Sequence, residues 1–179
     1  MEGIWLVTGA QASGKSTVAD RLAQRFVRGV HVRGGQFYRW VASGWVHAGA
    51  ADVDESRRLL DLRYRLSSMV AAEYLEAGFT TIVQDNIYGE DVVAWLDRVP
   101  GPRHLVVLRP RVEVIQHRDA ERQRHLGKIA YRGEFTPTIN DEHVAMTPAH
   151  LGLWIDTSDQ TPDQTVDEIV RRSAEAQVR

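Results

Sequence analysis

One stretch decides the fold of this chain: Ile4-Trp5-Leu6-Val7-Thr8-Gly9-Ala10-Gln11-Ala12-Ser13-Gly14-Lys15-Ser16-Thr17. Its first four residues form an apolar run that predicts a buried strand, and the remainder fits the P-loop pattern Gly-x-x-x-x-Gly-Lys-Ser. Gly9 and Gly14 let the backbone curl so that successive amide N–H groups point inward, and the N-terminus of the next helix adds positive potential. The stretch therefore predicts a loop that binds phosphate.

The residues of this loop are the candidate ligands of a nucleotide. We expect Lys15 to reach the terminal phosphates and the Ser16 hydroxyl to hold Mg²⁺. Val18, Leu22 and Phe26 have the spacing of a helix with one buried face, as the motif requires. The full set of expected contacts in the loop is Gly9, Ala10, Gln11, Ala12, Ser13, Gly14, Lys15, Ser16 and Thr17.

Composition bounds the classes of protein to consider. With 179 residues, 43% of them hydrophobic and 26% charged, the chain fits a single globular domain over residues 1–179. The absence of cysteine excludes disulfides and thiolate metal sites, and the histidines do not have the spacing of a zinc motif. A net charge of -2 gives no general attraction for nucleic acid or an anionic membrane. Because the apolar runs are short and the first strand starts almost at once, we expect no membrane span, no signal peptide and a cytoplasmic location.

Strands and helices alternate along the chain. Apolar or β-branched runs predict strands over residues 4–7, 30–32, 80–83, 105–108 and 153–155. A helix or a helical turn is predicted over 36–46. Helices are predicted after the loop, from an N-cap at Asp54 to Gly78, over 89–99, over 111–124, and after a capping box that begins at Thr161. This alternation predicts a parallel sheet covered by helices on both faces, with ligands beyond the carboxyl ends of the strands.

Asp85 follows the third predicted strand and would stand beside the loop if strands one and three are neighbours. Two functional roles are open: Asp85 could orient Mg²⁺ through water, or it could accept the proton of an attacking hydroxyl. Asp85 and Asn86 are also residue types that favour turns, so a purely structural role stays open.

Residues 125–136 are predicted to form a mobile flap with hinges at Gly127 and Gly133. Arg118 and Arg122 are four residues apart on one helix face, so both can converge on phosphate oxygens, or one can stack on a base. A solvated face paired with Glu113, Asp119 and Glu121 is the structural alternative. The basic residues that bracket the flap are Arg118, Arg122, Arg124, Lys128 and Arg132.

A second group of residues could bind the acceptor of a phosphoryl group. Arg33 and Gln36 follow the second strand, while Arg63 and Arg65 lie on the long helix. Aromatic neighbours could line an apolar acceptor pocket, although an aromatic stripe is more often part of a core. They are Phe37, Tyr38, Trp40, Trp45 and Tyr64.

With the loop, Asp85, the arginine-rich segment and Asp156-Thr157-Ser158 assembled, the whole chain resembles small P-loop kinases of the adenylate, shikimate and gluconate kinase kind. It most resembles the chloramphenicol phosphotransferase-like branch. The resemblance implies a three-layer α/β/α sandwich, a five-stranded parallel sheet in the order 2-3-1-4-5 and a short arginine-rich lid. It also implies ATP as donor with Mg²⁺, a small-molecule hydroxyl as acceptor, Thr157 and Ser158 beside the adenine, and Arg118 and Arg122 on the donor.

One departure from this family bears on activity. Relatives commonly carry an Asp at the end of strand two as the base for the acceptor hydroxyl, whereas this chain reads Arg33-Gly34-Gly35-Gln36. Gly35 cannot take a proton, so Asp85 serves as base, or Asp52 or Asp54 does, or the reaction is slow.

Three functions therefore remain open. They are an ATP-dependent phosphotransferase acting on a hydroxyl of a small molecule such as an antibiotic or related metabolite, a nucleoside or nucleotide kinase, and a nucleotide-binding protein with little or no transfer activity. A GTPase switch is disfavoured because the sequence lacks the Asn-Lys-x-Asp tetrad that reads guanine.

Overall fold

The computed structural model describes residues 1–46, 52–127, 131 and 135–178. Within them the strands are β1 (Ile4–Gly9), β2 (Gly29–Arg33), β3 (Thr80–Gln84), β4 (Arg103–Leu108), β5 (Leu153–Ile155) and β6 (Gln177–Val178). The helices are α1 (Lys15–Ala23), α2 (Gly35–Arg39), α3 (Val53–Glu76), α4 (Glu90–Leu96), α5 (Val112–Leu126), α6 (Pro137–Ala145), α7 (Pro162–Arg171) and α8 (Ser173–Ala176).

The sheet has the predicted order. Strands β2-β3-β1-β4-β5 are neighbours in that order and all pair in parallel. The short β6 adds an antiparallel pair to β4, where Val178 lies opposite Arg103. Sequence reasoning missed β6 because two residues carry no readable periodicity.

Strand β1 lies at the centre of the sheet, and all six of its residues are buried. Leu6 lies opposite Val83 of β3 on one side and Leu105 of β4 on the other. A parallel strand buried on both faces reads as a continuous apolar run, which is what the sequence shows at this position. Among the described strands, the one that leads into the P-loop is thus the one with every residue buried.

Alternate residues of β1 pack into two separate cores. Ile4 and Leu6 belong to a cluster with residues of α3 and α4, and Trp5 and Val7 belong to a cluster with residues of α1 and α7. These two cores confirm the predicted three-layer arrangement, in which helices cover both faces of the sheet.

Two helix boundaries differ from the predictions. Helix α2 ends at Arg39 and does not continue to residue 46. Asp52, not Asp54, is the N-cap of α3, because the Asp52 carboxylate accepts the Glu55 amide while Asp54 lies in the first turn, where a carboxylate favours the positive helix end. The predicted capping box of α7 is confirmed, with Thr161 and Gln164 in reciprocal hydrogen bonds.

The predicted flap lies partly outside the described residues. Helix α5 reaches the first two flap residues and ends at a left-handed C-cap, Gly127. Tyr131, Phe135 and Thr136 are the further flap residues described, whereas Lys128, Arg132 and Gly133 fall outside them. No helix in the described part of the chain combines the length and apolarity that crossing a membrane requires.

Candidate functional site

The P-loop connects the buried end of β1 to the first turn of α1. Gly9 has φ of 140°, and a Cβ at this position would lie 2.1 Å from the carbonyl oxygen of Leu108, so only glycine fits. Gly14 is the N-cap of α1 in the left-handed conformation. Ala12 also has a left-handed φ, 62°, which is uncommon for a residue with a side chain.

Lys15 lies inside the loop. Its Nζ donates to the carbonyl oxygens of Gly9 at 2.8 Å and Ala10 at 2.5 Å, and the residue is only 5% exposed. Burial, followed by the positive charges of Arg63 and Arg122, lowers the pKa of Lys15 to about 7. The two guanidinium groups that act on Lys15 belong to different helices, Arg63 to α3 and Arg122 to α5.

The Ser16 hydroxyl donates to Oε1 of Gln84, the last residue of β3, at 3.1 Å. A hydroxyl and an amide oxygen are hard oxygen donors of the kind that Mg²⁺ accepts together with phosphate oxygens. These two side chains therefore fit the sequence prediction of a magnesium ligand at Ser16 and add Gln84 to it. No cluster of three acidic or histidine side chains able to hold a metal occurs among the described residues.

Asp85 has a different set of partners from the one expected of a magnesium ligand. Its fully buried carboxylate forms an ion pair with Arg63, whose Nε donates at 3.0 Å, and it accepts the Asn86 amide at 2.7 Å. Gly34 packs directly against it, because a Cβ on Gly34 would lie 1.8 Å from Asp85 Oδ2. The structure thus places Asp85 between the ends of β2 and β3. The side chain that contacts Ser16 is that of Gln84 and not that of Asp85.

Arg63 and Arg65 separate on α3. The Arg63 guanidinium lies over the Tyr38 ring, 4.8 Å from its centroid, and burial lowers the pKa of Arg63. Arg65 is exposed, as expected for a residue two positions further round the helix. Of these two predicted acceptor ligands, only Arg63 lies at the site.

The end of β2 offers a more open surface. Arg33 is 60% exposed and reaches Asp20 only at 3.7 Å, and Gln36 is half-buried. A Cβ on Gly35 would meet no atom within 4 Å. Phe37 and Tyr64 are core residues, whereas Trp40 is 68% exposed beside the Phe37 ring and Trp45 packs edge-on to Tyr38. Part of the predicted aromatic group is therefore core.

Arg118 bridges the P-loop and the turn after β5. Its guanidinium donates to the carbonyl oxygens of Ser13 at 3.3 Å and Thr157 at 2.9 Å, and burial lowers its pKa. The side chain borders an open cavity of about 550 Å³ between α5 and this turn. The cavity is lined by Arg111, Glu113, Val114, His117, Arg118, Glu121 and Ser158.

Arg122 pairs with an acidic residue of its own helix and lies close enough to Lys15 to act on its charge. It donates to Asp119 at 2.8 Å, as the structural alternative expected, while its charge also acts on Lys15. Its buried Nε finds no acceptor within the described part of the chain. Ser158 is held by its turn, where Oγ accepts the Arg111 amide at 2.8 Å and the Ser158 amide donates to Asp156.

A family model described as "AAA domain" matches residues 4–133, which run from β1 and the P-loop to past the end of α5. The chain belongs to the AAA domain family. No curated protein matches this AAA domain chain at a significant level.

Solved structures similar to this AAA domain chain have the same fold. A sugar kinase from Janibacter sp. without ligand is 19% identical over 98% of this chain and 96% of that chain, with a TM-score of 0.66. A gluconokinase from Sinorhizobium meliloti is 18% identical over 96% and 91%, with a TM-score of 0.60. The Mycobacterium tuberculosis APS kinase in complex with AMPPNP and APS is 14% identical over 97% and 98%, with a TM-score of 0.66.

Three side chains around the P-loop of this AAA domain were missed by sequence reasoning. Tyr88 donates to the Gly9 carbonyl at 3.1 Å, Tyr131 donates to the Gln11 carbonyl at 2.7 Å, and Asn140 accepts the Gln11 amide at 2.8 Å. No motif marks them in the sequence, because each reaches the loop from a distant part of the chain.

Proposed function

We propose that the chain is an ATP-dependent phosphotransferase that moves the γ-phosphoryl group of ATP to a hydroxyl of a small molecule. The observation that carries this proposal is the P-loop between β1 and α1, with Gly14 at the start of α1 and Lys15 inside the loop. Amide groups at a helix N-terminus and a lysine form a site for phosphate oxygens. The proposed phosphate ligands are the loop residues 9–17.

The proposed nucleoside site is the cavity beside Arg118. Its position next to Thr157 and Ser158 agrees with the expected border of the adenine. The planar guanidinium of Arg118 can stack on a base, and Arg122 can reach the phosphates from the next turn of α5. The AMPPNP of the similar APS kinase supports an adenine nucleotide as the donor.

In the proposed reaction, the acceptor oxygen forms a bond to the γ-phosphorus as the bond from that phosphorus to the β–γ bridging oxygen breaks. ADP leaves, and the hydroxyl proton passes to Asp85. Lys15, Arg63 and Arg122 supply positive charge for the transferred group, which is the main requirement of phosphoryl transfer. Magnesium, held by Ser16 with Gln84 nearby, would neutralise phosphate charge when bound.

The acceptor would lie at the ends of β2 and β3, between Asp85 and the exposed surface around Arg33 and Trp40. The proposal includes membership of the chloramphenicol phosphotransferase-like branch, for which the acceptor would be an antibiotic or a related hydroxyl compound. The similar sugar kinase and gluconokinase favour polyhydroxyl acceptors. A nucleoside or nucleotide kinase is a second candidate, favoured by the exposed positive charge of Arg33, since the charge of Arg63 is paired with Asp85.

A nucleotide-binding protein without transfer activity is the third candidate. The ion pair between Asp85 and Arg63 favours it, since an ion-paired carboxylate is a weaker base. The test is ADP formation from MgATP with panels of sugars, hydroxylated antibiotics and nucleosides, in parallel with direct ATP binding. Acceptor-dependent ADP formation supports a kinase, and the responsive panel decides between the first two candidates. Tight ATP binding with no product in any panel supports the third.

A further inference from the structure

We propose that Asn140 and Tyr131 are positioning residues that hold the P-loop in its phosphate-binding conformation by clamping the peptide groups of Gln11. This inference rests on the proposed nucleotide binding, and it concerns residues that no motif assigns. Neither side chain is proposed to touch the nucleotide.

The clamp occupies both hydrogen-bonding groups of one residue. Asn140 Oδ1 accepts the Gln11 amide at 2.8 Å, and the Tyr131 hydroxyl donates to the Gln11 carbonyl at 2.7 Å. The same hydroxyl lies 3.2 Å from Asn140 Oδ1, and because it carries a single proton, the shorter contact to the Gln11 carbonyl is its main hydrogen bond. Asn140 is fully buried, and a buried amide that accepts a main-chain N–H fixes its partner more firmly than an exposed one does.

Asn140 is itself held by α6. The helix starts at an N-cap, Thr136, whose side chain accepts the Ile139 amide, and Pro137 occupies the first turn. The main-chain amide of Asn140 donates to the Thr136 carbonyl at 3.0 Å. Tyr131 stacks on the Phe135 ring with the centroids 5.7 Å apart. Both clamp residues are thus oriented by their own surroundings before they meet the loop.

Ala12, which follows the clamped residue Gln11, has a backbone conformation that explains why a clamp is needed. Ala12 has φ of 62°, a conformation that an L-residue adopts reluctantly. The turn closes when the Ser13 amide donates to the Ala10 carbonyl at 3.2 Å. The amides that follow Ala12 belong to the proposed phosphate site. Because the chain after Ala12 is held by the Ser13 turn and by the start of α1, a change of the Ala12 φ would swing the Gln11–Ala12 peptide group and break a clamp bond.

The consequence concerns nucleotide affinity. When only a fraction of the molecules hold the binding conformation, the apparent dissociation constant rises by the inverse of that fraction. Loss of the clamp lets Ala12 relax, so fewer molecules present a formed cradle. Glycine at position 12 adopts positive φ readily, so it should remove most of this dependence on the clamp.

The experiment measures MgATP dissociation constants by calorimetry, together with thermal unfolding of each variant. Asn140→Leu, which removes the acceptor, should weaken binding about tenfold, and Tyr131→Phe, which keeps the stacked ring, about threefold. Adding Ala12→Gly to either variant should return the dissociation constant to within about threefold of the Ala12→Gly protein. Tyr74→Phe, which removes a phenolic hydroxyl on α3, is the matched control and should bind ATP as the parent does.

The outcomes separate the two proposals. If the parent protein binds no ATP, the proposed function fails. If it binds ATP and both clamp variants bind it equally well, the clamp proposal fails while the function stands. Weaker binding that Ala12→Gly leaves uncorrected also overturns the clamp, because the loss then has another cause. Should Asn140→Leu not fold, Tyr131→Phe with and without Ala12→Gly decides the question.

Discussion

At the scale of single residues, Lys15 carries the strongest electrostatic signature of the site. Its pKa of about 7 follows from burial among main-chain carbonyls with two arginines nearby. A bound triphosphate would bring negative charge to Nζ and favour its protonated form. The position of Lys15 thus links phosphate binding to a proton.

The first prediction concerns this proton. At pH 8 Lys15 is largely neutral in the free protein, so MgATP binding should take up close to one proton, and at pH 6 it should take up almost none. Calorimetric titrations in two buffers of different ionisation enthalpy measure the number. Equal and negligible uptake at both pH values would contradict the role given to Lys15.

The same pKa shift affects stability. An unfolded Lys15 keeps its proton to a pKa near 10.5, whereas the folded residue loses it near 7. The unfolded state therefore binds more protons between these values, and stability rises with pH across this window. The destabilising contribution is fully present below pH 7.

Asp85 is the subject of the second prediction. Asp85→Asn keeps an oxygen for Arg63 but removes the proton acceptor, so turnover should fall about a hundredfold. Some stability should also be lost, because the buried Arg63 loses its counter-charge. Initial rates with saturating substrates, at a temperature where both proteins are folded, measure the effect. Asp91→Asn, which alters a second two-point ion pair at Arg57, is the control and should leave the rate unchanged.

A near-normal rate for Asp85→Asn would assign the base elsewhere. Asp52 and Asp54 were the sequence alternatives, but Asp52 is the α3 N-cap and Asp54 is exposed in the first turn.

Single residues also show where sequence reasoning succeeds. A P-loop can be predicted from sequence because its amides, lysine and serine act within one short segment. The roles of Asn140 and Tyr131 could not be predicted, since their partner Gln11 lies 129 and 120 residues away. The choice of Gln84 over Asp85 beside Ser16 depends on side-chain directions at the strand end, which alternate with each residue.

At the scale of elements, the ends of β2 and β3 form the proposed acceptor side. Arg33 pairs with Gln84 in register, and the Gly34 amide donates to the Gln84 carbonyl at 3.0 Å. Gly34 must stay a glycine because Asp85 fills the space of its side chain, whereas Gly35 faces open space. A carboxylate can therefore be added at residue 35 but not at residue 34.

The third prediction uses this difference. Gly35→Asp should restore part of the turnover lost in Asp85→Asn, by about tenfold, because it returns a carboxylate to the same edge of the sheet. Gly35→Asn in the same background should restore nothing. Initial rates of the two double variants make the comparison, and equal rates would argue against a missing base on this edge.

Arg118 on α5 gives the fourth prediction. Arg118→Ala removes the bridge between Ser13 and Thr157 and the surface on which a base can stack, so KM for ATP should rise about tenfold with a smaller change in kcat. Arg124→Ala, at an exposed position of the same helix, is the control. An unchanged KM for ATP in Arg118→Ala would remove the nucleoside from the cavity beside α5.

Element boundaries were the least predictable feature of the chain. The sequence could not assign the N-cap of α3, which is Asp52, because Asp52 and Asp54 stand two residues apart and either can accept an N-terminal amide. Helix α2 ends at Arg39, although aromatic residues continue in the sequence to Trp45. Strong caps, as in α7, were predictable because both partners are three residues apart.

At the scale of the whole molecule, the sheet order brings the P-loop, the acceptor side and the α5 arginines to one edge. Strand β1 lies between β3 and β4. The P-loop therefore has Gln84, at the end of β3, on one side, and on the other side it has the end of β4 and then the turn after β5. Alternating strands and helices predict a parallel sheet but not its order, which came from the family resemblance. The AAA domain match and the solved structures agree with that order.

The fifth prediction, and the most direct test of the account, is equilibrium dialysis of the folded protein against labelled ATP with magnesium. One ATP should be retained per chain, and Lys15→Ala should retain far less while keeping its fold, because Lys15 lies in the loop and outside both apolar cores. Folded protein that retains no ATP, or a Lys15→Ala protein that retains as much as its parent, would contradict the central claim.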